Sequence, residues 1–112
     1  MQPGTSEHKA QVCQDLIKTY HENIFKDELY LMQLEQVKGN KRKEIVQLDM
    51  KLEVATGNTK DEREARKAAD KAKFVAEQEL KHIEQEIRTV TDKVQNLWPE
   101  RIRLVEEYLE RN

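Results

Sequence analysis

Ala55-Thr56-Gly57-Asn58-Thr59-Lys60-Asp61-Glu62 lies near the middle of a 112-residue chain that otherwise reads as helix. Gly57 and Asn58 are the residue types that most readily take the left-handed conformation that closes a helix. Thr59-x-x-Glu62 has the form of a capping box, in which the Thr hydroxyl and the Glu carboxylate each satisfy an orphan N–H of a new helix. A stop followed at once by a start predicts a helical hairpin.

Outward from that turn, apolar residues recur every seven positions. Before it, one class of the repeat holds Ala10, Ile17, Ile24, Leu31, Lys38, Ile45 and Leu52. Its partner class holds Cys13, Tyr20, Asp27, Leu34, Lys41, Leu48 and Ala55. These are the a and d positions of a coiled-coil seam, interrupted by Asp27, Lys38 and Lys41. Gly39-Asn40 falls off the seam and leaves the count unchanged, so a weakened but continuous helix is expected there rather than a second turn. After the turn, the a class is Arg66, Lys73, Leu80, Ile87, Val94, Arg101 and Tyr108. The d class is Glu62, Ala69, Ala76, Ile83, Val90, Leu97 and Leu104.

Trp98-Pro99 should interrupt this second arm. Proline inside a helix costs about 3 kcal/mol, but at the first position of a new helix it costs little. The expected organisation is a short disordered lead at 1–4, a first helix at 5–56, a turn at 57–58, a second helix at 59–98 and a final helix at 99–112 beyond a proline kink. The fold class is therefore all-α: an elongated antiparallel coiled-coil hairpin with a Pro-kinked C-terminal helix. One uninterrupted parallel coil would stack Lys38, Lys41, Arg66 and Lys73 on their own copies, which disfavours it. Antiparallel pairing about Gly57 sets Ile17 by Leu97, Tyr20 by Val94, Ile24 by Val90, Leu31 by Ile83, Leu34 by Leu80 and Ile45 by Ala69. It also leaves two poor pairs, Asp27 opposite Ile87 and Lys41 opposite Lys73.

Two helices meeting along one seam bury little surface for their length. Apolar residues off the seam form further stripes: Phe25, Leu29 and Met32 with Leu16 on the first arm, and Ile102, Val105 and Leu109 beside Trp98 on the second. Such faces predict protein partners. They would serve a homodimer closing a four-helix bundle or a hetero-oligomer formed by helical packing, or the last helix would fold back over them. Trp98 would either anchor a partner or cover the open end of the hairpin against Leu16 and Ile17.

Composition narrows the function class. Charged residues make up 38% of the chain and aromatic residues 5%, the profile of long solvated helices rather than of a sheet. Net charge is −2, split evenly: 8 basic and 9 acidic residues precede Gly57, and 12 and 13 follow from it. With no basic or acidic tail, charge alone implies neither nucleic acid nor membrane. No apolar run approaches the ~20 residues of a membrane span. The first residues lack the basic and apolar regions of a secretory signal. The single cysteine, Cys13, excludes an intramolecular disulfide framework, which fits an intracellular, cytoplasmic or nuclear, setting.

No enzyme and no cofactor are expected. His8, His21 and His82 share no helical spacing with one another or with Cys13, so no metal site has a ligand set behind it. No glycine-rich loop is present to hold a phosphate. The strongest competing site is basic. Lys41, Arg42 and Lys43 would face Lys67, Lys71 and Lys73 near the turn, a candidate patch for a polyanion. A pI near 6.0 and the lack of interleaved aromatics other than Phe74 argue against nucleic acid as the main ligand. The expected function is a non-enzymatic scaffold or adaptor in a cytoskeletal, centrosomal, trafficking or chromosome-associated assembly. A nucleic-acid-associated helical protein is the alternative.

Overall fold

The computed structural model describes the backbone of residues 3–111 and side-chain exposure for residues 7–111. Every regular element in it is helical. Helix α1 runs Pro3–Val54 (52 residues) and α2 runs Lys60–Asp92 (33 residues). A five-residue π turn, Lys93–Leu97, then leads without a break into α3, Trp98–Arg111. The arrangement is compatible with a helical hairpin.

Helix α1 starts earlier than expected. Pro3 and Gly4 already belong to it; proline suits a first turn because its fixed φ is helical and its missing N–H has no partner there anyway. Of the expected disordered lead, Met1 and Gln2 lie outside the described residues, as does Asn112. Helix α1 passes through Gly39 and Asn40 uninterrupted.

The connection is wider than the two residues expected, since 55–59 are all non-helical. No glycine among the described residues has a positive φ, so Gly57 does not close α1 in the left-handed conformation. The turn is held in another way. The Ala55 N–H donates to the Lys51 carbonyl at 3.1 Å, and the Thr56 N–H to the Val54 carbonyl at 3.0 Å. The Arg66 guanidinium donates to the Gly57 carbonyl at 2.8 Å. At the start of α2 the capping box is half formed: the Glu62 N–H donates to the Thr59 hydroxyl at 3.2 Å. The Glu62 carboxylate folds over Gly57, in space that a Cβ would occupy. Glycine at this position thus admits a close approach rather than an unusual φ.

The chain divides into two compact units, Gln33–Ile87 and the pair Met1–Met32 with Arg88–Asn112. In Gln33–Ile87 the buried side chains are Leu34 and Ala76. Around them the residues of the seven-residue repeat are partly covered: Lys38, Lys41, Ile45, Leu48 and Leu52 on α1, and Arg66, Ala69, Lys73, Leu80, Ile83 and Ile87 on α2. Glu62, counted at a d position, is exposed because it serves the cap. Two ion pairs link the helices in opposite chain order. Lys41 meets Glu79 at 2.5 Å and Asp49 meets Lys73 at 2.5 Å. The expected Lys41–Lys73 clash does not occur. In antiparallel helices side chains lean toward their own N-terminus, so a residue of α1 reaches partners further along α2 than the one level with it.

In the unit made of both chain ends, Cys13, Val90 and Ile102 are buried. Ala10, Ile17, Tyr20, Ile24, Asp27 and Leu31 are partly covered, as the repeat requires. On the second arm Ile87 belongs to the other unit, and Val90, Val94 and Leu97 continue the count. Beyond Leu97 the count fails. Arg101, Leu104 and Tyr108 are exposed, whereas Trp98, Ile102, Val105 and Leu109 are covered. The seam has moved by one residue.

The π turn accounts for the move. Its Trp98 N–H donates to the carbonyl of Lys93, five residues back rather than four. One such wide ring absorbs one extra residue, so every later side chain falls one position late. Pro99 supplies the reason for its location. It has no N–H to give to the Gln95 carbonyl, and in a regular α-helix its ring would press on that same carbonyl. Widening the preceding turn relieves both faults while the chain stays helical, so the helix is not broken there.

Candidate interaction surfaces

Phe25, Leu29 and Met32 stand at i, i+4 and i+7 of α1, which places them on one face of the helix. They are 62%, 45% and 70% exposed, and Leu16 is exposed as well. A shallow depression of about 380 Å³ opens beside Phe25, lined also by Lys18, His21, Glu22 and Lys26. The first-arm stripe is therefore outward, as its position off the seam requires.

The second-arm stripe is not. Ile102 is 9% exposed, and Val105 and Leu109 are partly covered. The one-residue displacement at the π turn brings these three into the interior of their unit, so they do not form the outer face expected of them. The outward apolar residues of α3 are instead Leu104 (50% exposed) and Tyr108 (44%). Heptad counting assigns both to the seam.

Trp98 is likewise engaged within its own unit. Its ring stacks on Tyr20, with centroids 5.9 Å apart and planes 24° from parallel. Its indole N–H donates to an Asp27 carboxylate oxygen at 2.7 Å. Neither contact involves Leu16, the cover expected from the sequence. Tyr20 and Asp27 are both d positions, two helical turns apart on α1, and the indole bridges them. A carboxylate on an apolar seam is costly unless hydrogen-bonded, and the only indole of the chain supplies that bond.

Sequence spacing gathers six basic residues into one patch; the structure separates them into two kinds. Lys41 is held by Glu79 and by Glu44, at 2.5 and 2.9 Å. Lys73 is held by Asp49 at 2.5 Å, with Glu77 at 3.8 Å. Donating hydrogen bonds to these carboxylates raises the pKa of the Lys41 and Lys73 ammonium groups above the ordinary lysine value. Arg42, Lys43, Lys67 and Lys71 are exposed. Two of the six basic residues thus tie α1 to α2, and four face solvent.

A third charged cluster lies on α3. Arg103 reaches Glu100 at 2.5 Å and also pairs with Glu107. The neighbouring guanidinium holds the Glu100 carboxyl below the usual carboxylate range. Among the described residues no three His, Cys, Asp or Glu side chains gather in a way that could hold a metal ion. No helix among the described residues is long and apolar enough to cross a membrane. Comparison with protein-family models, with curated proteins and with solved structures returned no match for this chain.

Proposed function

We propose that this chain is a non-enzymatic scaffold or adaptor, built as an antiparallel coiled-coil hairpin that assembles protein partners by helix packing. Its setting would be a cytoskeletal, centrosomal, trafficking or chromosome-associated complex inside the cell. The observation that carries this reading is the outward stripe Phe25-Leu29-Met32, whose three large side chains lie uncovered on consecutive turns. Burying an apolar side chain of this size is worth roughly 1.5–3 kcal/mol, so a helix laid along the stripe would be held. The partner is a second copy, completing a helical bundle, or an amphipathic helix of another protein. Sedimentation equilibrium over a wide concentration range tests it. The parent should associate, and Phe25→Asp with Leu29→Asp should yield a monomer of unchanged helicity. A parent that stays monomeric at every concentration would leave only the hetero-oligomer, and a double variant that still associates would remove the stripe from the interface.

A second reading has its own support in the exposure of Arg42, Lys43, Lys67 and Lys71. These four cations would serve a nucleic-acid-associated helical protein through phosphate contacts. Reversing their charge should abolish polyanion binding without touching self-association. Absence of any polyanion binding by the parent near physiological salt would end this reading.

A further inference from the structure

Helix α3 carries two apolar stripes one residue apart. Ile102, Val105 and Leu109 face inward, while Leu104 and Tyr108 lie outward at the positions an unbroken seven-residue count would have buried. Which stripe faces inward is decided upstream, by whether Lys93–Leu97 closes as a π turn or as ordinary α-helix. One residue more or less in that turn rotates everything after it by about 100°.

Two features hold the wide form. Pro99 makes the narrow form unfavourable through its missing N–H and its ring. Trp98, the first residue after the π turn, is hooked to α1 by its hydrogen bond to Asp27 and its stacking on Tyr20. Narrowing the turn would swing Trp98 off the seam, break the hydrogen bond and strand Asp27. The narrow form would also bring Arg101 inward, which makes the hooked form the ground state.

We infer that the π turn and the Trp98–Asp27 hook form a register latch, which selects the stripe that α3 presents to solvent. With the latch closed, Leu104 and Tyr108 are on display. With it open, α3 turns by one residue, covers Leu104 and Tyr108, and exposes Ile102, Val105 and Leu109. The latch needs neither self-association nor a partner, since both stripes and the hook lie within one compact unit.

Thiol accessibility reads the register directly. In a Cys13→Ser background, Leu104→Cys and Val105→Cys are made separately in the full chain, and their maleimide labelling rates are compared. With the latch intact, the cysteine at 104 should label faster than that at 105. Adding Trp98→Phe and Pro99→Ala removes the indole donor and restores the backbone N–H, and the order should invert at unchanged helicity. An unchanged order would show that the register is set elsewhere, and a rise in both rates together would show fraying rather than rotation; either result overturns the latch. A deletion gives a second check. Removing Gln95 together with Pro99→Ala takes out the extra residue while leaving the hook in place. The original labelling order should then persist and the melting temperature should not fall. A reversed order or a lower melting temperature would mean that the π turn is not a one-residue insertion.

Discussion

Asp27 accepts the indole N–H of Trp98 at 2.7 Å, across 71 residues of sequence. Each residue alone is a flaw in an apolar seam, one carrying a charge and the other an unpaired donor. Together they satisfy each other, and the Tyr20 ring closes the cluster from the other side. Losing one partner of such a pair costs more than losing both, because the survivor keeps its desolvation penalty. Trp98→Phe should therefore destabilise the protein by about 1–3 kcal/mol. Asp27→Leu should cost less, and the double variant should recover part of the Trp98→Phe loss. Urea melts of the four proteins give the coupling energy, and strict additivity would mean that the bond contributes nothing net.

The two inner glycines should respond in opposite senses to what a turn-centred reading implies. Gly39 lies within α1 with open space where a Cβ would go. Gly39→Ala should then stabilise by roughly 0.5–1 kcal/mol, the helix-interior difference between the two residues. At Gly57 the φ is not left-handed, and the atoms in the way belong to the flexible end of Glu62. Gly57→Ala should cost less than about 1 kcal/mol, mainly through displacement of that carboxylate. Thr59→Ala, by contrast, deletes the acceptor for the Glu62 N–H and should cost about 1 kcal/mol as a lost N-cap. Thermal melts of the three variants fix the order.

Stability should be flat near neutrality and fall at both ends of the pH range. Lys41 and Lys73 are raised above 10.5 by their carboxylate partners. Their contribution is fully present below that value and is lost as pH rises through the higher folded-state pKa. Glu100 is lowered below 4.5 by Arg103. Its contribution is present above 4.5 and is lost as pH falls through the lower folded-state value. All these groups are solvated, so both limbs should be shallow and should flatten in high salt. Asp49→Asn with Glu79→Gln should weaken the alkaline limb and leave the acid limb in place. An alkaline limb of unchanged depth in that variant would show that the ion pairs between α1 and α2 do not contribute to it.

Much of this is legible in the sequence, because the seven-residue repeat is a direct consequence of helical geometry. From Ala10 to Leu97, every a and d position is covered at least in part, apart from Glu62 in its capping role. Failure began where backbone chemistry intervened. Pro99 announces a discontinuity, but periodicity cannot say whether the chain breaks, bends or inserts a residue. One signal was available. Trp98, Ile102, Val105 and Leu109 follow one another at i, i+4, i+7 and i+11 with no charge among them, a cleaner stripe than one containing Arg101. The role of Lys41 and Lys73 was hidden for another reason: long side chains lean along their helices, so their partners are not the residues level with them. The six-cation patch narrows to four because Glu79 and Asp49, on the facing helix, pair with Lys41 and Lys73.

Alanine substitution across α3 separates the displaced seam from the continuous one. Ile102 is buried and Leu104 is half exposed, although counting by sevens from Leu97 puts Leu104 on the seam and Ile102 off it. Truncating a buried isoleucine removes its transfer free energy and leaves a cavity, typically about 2–5 kcal/mol in all. Ile102 lies in the last helix, where relaxation is easy, so the lower part of that range is expected. Leu104→Ala removes a side chain already half in water and should cost under about 1 kcal/mol, partly offset by the helix preference of alanine. Val105→Ala should fall between them. Chemical denaturation of the three single variants, read by helicity, decides the matter. A larger loss at Leu104 than at Ile102 would place the uninterrupted repeat on the seam and remove the π turn from the folded protein.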